Sequence, residues 1–216
     1  MKKWMAVVLI AAFSMMVCAC SENQTDEKEE TSSVSSAAES IEESDKEEIK
    51  TTSSSLTSPL SLEEWGTAAK FSTKEQKYYN VPIRVISVTN GKNAEKEVKA
   101  FMDESEEYTY EKPEKNTEWI SVEYELSLDG FPLDEEGADA CVSAFVSAAD
   151  GSVIEYKGKK FSSVTVNMVD GEYHFEGIVK GRTAFKMPEN LSDYTVAFGE
   201  YGETQAYFSP NSKNMF

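Results

Sequence analysis

The chain has 216 residues, 21 lysines and arginines against 39 aspartates and glutamates, and a formal charge of −18. That balance excludes electrostatic binding to nucleic acid or to an anionic lipid surface, and leaves cationic partners as the favoured class. Three cysteines and one histidine are too few for a disulfide framework or a tetrahedral metal set, so no cofactor is expected.

Lys2 and Lys3 precede an uncharged apolar run over residues 4–17. At about 14 residues the run is shorter than the roughly 20 of a membrane span, and it reads as the n-region and h-region of a secretory signal. Val17, Cys18, Ala19 and Cys20 then follow the bacterial lipobox pattern of aliphatic, tolerated, small and cysteine residues. Cys20 is the expected lipidation site. Its thiolate is the nucleophile that takes up a diacylglyceryl group, and removal of residues 1–19 leaves it first in the mature chain. Cys18 fits worse, because bulky Val17 precedes it and Met15 takes the aliphatic position. Buried methylenes contribute about 0.8 kcal/mol each, so two or more acyl chains hold a protein on the extracytoplasmic face of a membrane without spanning it. The competing reading is a soluble secreted protein.

Residues 21–58 hold eleven acidic residues, three lysines and no aromatic. Such a segment buries too little apolar surface to offset its ordering entropy and is expected to be a disordered, self-repelling linker. As a coil it spans roughly 34 Å, and fully stretched roughly 125 Å. "AAESIEESDKEEIK" holds good helix formers but no apolar face, so a helix there is marginal.

From Pro59 the aromatic residues appear, and residues 59–216 read as one domain with 16 basic and 28 acidic side chains. "WISVEYELSL" alternates Ile120, Val122, Tyr124, Leu126 and Leu128 with polar residues, predicting a strand with one buried and one wet face. Asn90-Gly91, Asp129-Gly130, Asp150-Gly151 and Asp170-Gly171 read as hairpin turns. Further strands are expected in "YNVPIRVISVT", "ACVSAFVSA", "SVIEY", "FSSVTVNMV", "EYHFEGIVKG", "TAFKM", "TVAFG" and "QAYF", with Val164, Val166 and Met168 on one face and Tyr173 and Phe175 turned inward. In "AEKEVKAFMDE", Ala94, Val98, Phe101 and Met102 recur at helical spacing. Pro188 and Pro210 read as strand terminators. The fold class is therefore all-β: an antiparallel β-sandwich with one short helix, preceded by the linker.

The order of "WG" at Trp65, "VPIRVISVTNG", "EWISVEYEL", "DGSVIEY" and "KGRTAFKMPENLSDYTVAFG" resembles the immunoglobulin-like domain of unknown function found in Gram-positive surface lipoproteins, which is similar in structure to a mycobacterial secreted immunoprotective antigen. The resemblance covers nearly all of the chain after the linker and is most specific from Gly181 to Pro188, through Phe185. It implies an immunoglobulin-like sandwich on a lipid anchor and carries over no catalytic residue.

The remaining chemistry is sparse. His174 is expected to face solvent on a strand apart from Cys141, itself read as a small buried hydrophobe, so neither builds a catalytic pair. Met168 and Met187 read as core or strand residues rather than copper ligands. Glu123 and Glu125, roughly 7 Å apart on one strand face, fall near the spacing of glycosidase carboxylates but match any solvated sheet face. Asp129, Asp134, Glu136 and Asp139 crowd one loop and are the weak candidates for calcium, although their spacing matches no EF-hand. The sequence thus points to a non-enzymatic lipoprotein that presents a binding or adhesion surface to an extracellular protein or peptide. An accessory solute-binding or sensing subunit of a transporter or receptor is the rival, and a wall hydrolase the weakest reading.

Overall fold

In the computed structural model the described residues are 48–105, 108–161, 163–169 and 172–210. The apolar leader, Cys20, most of the acidic linker and Asp170-Gly171 lie outside them. Ten strands and one helix follow in chain order: β1 Gly66–Ser72, β2 Lys77–Asn90, α1 Gly91–Glu104, β3 Thr117–Ser127, β4 Ala144–Ala148, β5 Glu155–Tyr156, β6 Lys159–Lys160, β7 Val164–Asn167, β8 Ile178–Pro188, β9 Tyr194–Phe198 and β10 Ala206–Phe208. The fold is mostly β, with antiparallel sheets in the orders β1-β2-β3-β8-β7, β10-β9-β4 and β5-β6.

β3 is the centre of the five-stranded sheet because its apolar alternation is the longest in the chain. Ile120, Val122, Tyr124 and Leu126 are all buried, and Phe185 and Val179 of β8 stand opposite Ile120 and Leu126. The same core takes Val196 and Phe198 from β9 and Phe208 from β10, so residues of both large sheets close one apolar interior. Tyr124 and Phe198 meet with ring centroids 4.8 Å apart, an arrangement worth more than burial alone.

The other face of β3 is not the wet face expected. At its start, Trp119 and Ser121 are covered by α1, whose Ala94, Val98 and Met102 pack with Trp119, Val166 and Ala184 into a second cluster. Towards its end, Glu123 and Glu125 lie among the cations of neighbouring strands. Arg84 donates to Glu125 at 2.7 Å and Lys180 stands 3.7 Å away, while Arg182 lies 3.8 Å from Glu123. Opposite charges placed directly across strands support the pairing of β2, β3 and β8. Arg84 also lies 4.6 Å from the centre of the Trp65 ring.

Gly181 has a steric reason to be glycine. A Cβ there would stand 2.4 Å from the Tyr124 ring, which is fully buried directly across the sheet. The Tyr124 hydroxyl in turn donates to the Ala140 carbonyl at 2.8 Å, tying the loop after β3 to the core.

Several expected elements take other forms. Asn90-Gly91 is no hairpin turn: it passes β2 directly into α1, which starts three residues before the apolar pattern does. "EYHFEGIVKG" and "TAFKM" merge into β8, which begins only at Ile178, because Arg182 keeps the strand alternation and its partner Glu123 across the sheet. Tyr173 and Phe175 turn outward rather than inward, at 56% and 61% exposure, and His174 is half-buried. The segment around them pairs with a loop, where His174 and Ala138 exchange two backbone hydrogen bonds, so its alternation faces no core. β4 starts at Ala144 rather than Ala140, and β7 is confined to four residues. β1 carries no alternation and was not expected. The fold also takes in the last residues of the Ser-rich segment, since the Thr52 amide donates to the Trp65 carbonyl at 2.7 Å.

Candidate binding cleft

β1 runs Ala68, Ala69 and Lys70 through consecutive buried positions, which places a lysine 6% exposed against the loop that follows β3. A buried ammonium requires partners. Lys70 donates to the Cys141 carbonyl at 2.6 Å and to Asp139 Oδ1 at 3.2 Å, and lies 5.7 Å from the centre of the Phe131 ring. Asp139 Oδ1 also accepts from the Cys141 amide at 3.0 Å, which holds the carboxylate in place.

The same loop is fastened to β1 and its turn at two further points. Ser72 donates to the Pro132 carbonyl at 3.0 Å, and Thr73 donates to Asp134 Oδ2 at 2.9 Å. Asp134 Oδ1 accepts from the Glu136 amide at 3.1 Å, the local turn chemistry expected of aspartate. Gly137 follows at φ +91°, where a Cβ would strike the His174 carbonyl at 2.8 Å. This close approach brings the 172–175 segment against the loop and sets Tyr173 on its rim.

The result is a cleft of about 240 Å³ between β1, the acidic loop and Tyr173. Its floor is Phe131, 8% exposed and edge-on to Tyr79 at 6.0 Å. Its lining also includes Phe71 at 42% exposure, supported edge-on by Tyr78 at 5.2 Å, and Tyr173 at 56%. Asp134, Glu136 and Asp139 supply the negative charge of the wall. Asp139 is paired with Lys70, but among the described residues no lysine or arginine pairs with Asp134 or Glu136.

Of the four calcium candidates, three therefore border one cleft. Asp129 is placed elsewhere, accepting from the Gly177 amide at 3.1 Å. Among the described residues no group of three or more His, Cys, Asp or Glu side chains is arranged to hold a metal ion. Cys141, expected to be buried, is only half-buried, and its thiol lies 3.5 Å from the Asn167 amide nitrogen. Burial, with the Asp139 charge beside it, pushes the thiol pKa up despite Lys70, which is the reverse of what activates a cysteine nucleophile. Glu123 and Glu125 are held by cations on the sheet face, as described above.

Sequence reasoning missed Lys70, Phe71 and the outward turn of Tyr173. The legible signal was a lysine inside the short apolar run "TAAKF", which places a charge where a core position is due.

A larger open cleft, about 700 Å³, lies where α1 begins, with Lys92, Lys112, Glu95, Glu118 and Trp119 in its wall. Two of its four carboxylates have partners: Tyr110 donates to Glu95 at 2.6 Å and the Asn190 amide to Glu118 at 2.8 Å. The Trp119 indole N–H is buried there and has no hydrogen-bond partner among the described residues.

Compared with known proteins, the chain matches no family model, no curated protein and no solved structure.

Proposed function

We propose that this chain is a non-enzymatic lipoprotein: lipidated on Cys20, held at the extracytoplasmic face of a membrane, and presenting an immunoglobulin-like β-sandwich as a binding or adhesion module. The observation that carries the reading is the order of basic residues, short apolar run and "VCAC", followed at once by an acidic, aromatic-free segment and then by the β domain. No helix among the described residues is long and apolar enough to cross a membrane. Acyl chains on Cys20 are the route of attachment that the lipobox pattern supplies. Two antiparallel sheets that share one core support the sandwich. The resemblance to the domain of Gram-positive lipoproteins supports both parts of the proposal.

Intact mass and membrane fractionation of the wild type beside Cys20→Ala test it. The wild type is expected in the membrane fraction with the mass of the chain from Cys20 plus its acyl groups, and the variant in the medium or unprocessed. Identical behaviour of the two, with no added lipid mass, would overturn the anchor.

A further inference from the structure

We propose that the outer edge of β4 is a self-association surface, on which β4 of a second copy of this chain pairs antiparallel about Phe145 and joins two three-stranded sheets into one. The proposal goes beyond the reading of the chain as an anchored binding module and holds whether or not Cys20 is lipidated.

The end strands of the two large sheets differ in what covers them. On β1 the Ala69 amide donates to the Thr204 carbonyl at 2.8 Å. β10 is covered by the incoming chain, where Tyr207 donates to Ser54 Oγ at 2.9 Å and accepts from the Leu60 amide at 2.8 Å. β4 has no such cover among the described residues. Its register against β9, continued by the Gly199 amide donating to the Ser143 carbonyl at 2.9 Å, turns the backbones of Ser143, Phe145 and Ser147 towards β9. Those of Ala144, Val146 and Ala148 therefore point outward. Ala148 is held by the following turn, donating to the Ser152 carbonyl and accepting from the Gly151 amide. Ala144 and Val146 are left with outward N–H and C=O groups that no described residue binds.

This edge fits its own copy. Ala144 of each chain can exchange both backbone bonds with Val146 of the other, about a two-fold axis beside Phe145. Sheets commonly guard an edge with charges or proline, and residues 140–149 carry neither. In a chain of −18, that uncharged run lets two copies meet without like charges directly opposite. Ala144, Val146 and Ala148 pack against the main core, so Phe145 and Ser147 face the other way. The Ser147 hydroxyl is buried there and has no hydrogen-bond partner among the described residues. The two-fold sets it across from Ser143 of the second copy, a cross-strand hydroxyl pair, and sets Phe145 beside its counterpart. The edge is short and the net charge opposes association, so the dimer is weak and strengthens with protein concentration and with salt.

Cysteine cross-linking of the full chain in its host cells tests the pairing. The Cα atoms of Phe145 and its counterpart would stand about 4.5 Å apart, within disulfide reach. Phe145→Cys should give at least about tenfold more disulfide dimer than the wild type on non-reducing gels after copper-phenanthroline oxidation. Ser147→Cys shares that face but lies roughly 13 Å from its counterpart, and Thr165→Cys sits on β7, the remaining end strand. Both should stay within about twofold of the wild type, whose Cys141 sets the background. Dimer from Phe145→Cys no greater than from the wild type would overturn the proposal. So would equal dimer from all three variants, which would mean random collision, or more from Thr165→Cys than from Phe145→Cys, which would move the contact to β7. Sedimentation equilibrium in density-matched detergent keeps the test open if Phe145→Cys misfolds. There the wild type should dimerise as protein approaches ~1 mM, more at about 0.5 M than at about 0.05 M salt. Ala144→Pro, which removes an outward amide and spares the β9 ladder, should stay monomeric. A wild type that is monomeric throughout, or an Ala144→Pro that dimerises equally, would overturn the proposal.

Discussion

Replacing Gly181 by alanine sets two effects of opposite sign against each other. Gly181 lies inside β8 with ordinary strand backbone, where glycine is weaker than alanine by about 0.5–1 kcal/mol, so propensity alone predicts stabilisation. The new methyl, however, would stand 2.4 Å from Tyr124 Cζ and 2.5 Å from its hydroxyl oxygen. Carbon contacts settle near 3.5–4.0 Å, so the ring must retreat by about 1 Å. It has nowhere easy to go, being fully buried against Phe198. Overpacking of this kind costs about 1–3 kcal/mol, and pulling the hydroxyl off the Ala140 carbonyl adds about 1–3 more. The expected net loss for Gly181→Ala is about 3 kcal/mol. In urea, followed by tryptophan fluorescence, it should appear as a midpoint lower by about 1–2 M at unchanged slope. Placed on a Tyr124→Ala background the same change should be nearly neutral, because the clash is gone. A midpoint equal to or above that of the wild type would refute the steric account of this glycine.

Lys70→Met should destabilise the domain by about 1–3 kcal/mol, because it strands the Cys141 carbonyl and a partly exposed Asp139 carboxylate; an unchanged urea midpoint would contradict the role given to the buried ammonium. Tyr110 and Tyr194 both have their pKa pushed up to about 12, chiefly by burial, aided in Tyr110 by its bond to Glu95 and in Tyr194 by the Glu118 charge. The fold favours the neutral phenol, so this stability is complete below the unfolded value near 10 and is lost as pH rises towards 12. Burial raises the fully buried Tyr124 phenol as well, so ultraviolet titration should show these three tyrosines late while the far-UV spectrum is still native at pH 10, and all tyrosines titrating together near 10 in the folded protein would refute it. Alkylation of Cys141, followed by peptide mass mapping at pH 7.5, should be at least about tenfold slower in the native protein than in urea, and equal rates would show the thiol to be neither shielded nor raised.

What the sequence made legible follows from where period and burial agree. β3 and α1 were readable because one apolar face dominates each, as Val122 with Tyr124 and Ala94 with Val98 show. β1 was not, because Ala68, Ala69 and Lys70 are buried in succession, and a lysine at a core position looks like a surface residue until its partners, 69 and 71 residues away, are in place. Tyr173 and Phe175 misled for the converse reason: they alternate as a strand does, but their segment pairs with a loop rather than with the core sheet. The acidic loop was visible as a cluster of carboxylates, whereas the aromatic half of the cleft comes from β1 and the 172–175 segment, brought together only by long-range pairing.

The pairing of Leu60 with Phe208 orders events during synthesis. Leu60 donates its amide to the Tyr207 carbonyl at 2.8 Å and accepts from the Ser209 amide at 2.9 Å, and its side chain is 4% exposed in the main core. The first fully buried apolar residue of the domain thus waits for nearly the last described ones. A chain delivered from its amino end, by ribosome or by secretion channel, holds β1, β2 and β3 with one side of the core open until residues 206–209 arrive. The core of this domain therefore closes only once residues 206–209 have emerged, and a chain halted before Phe208 presents an unclosed apolar face to whatever chaperone meets it first.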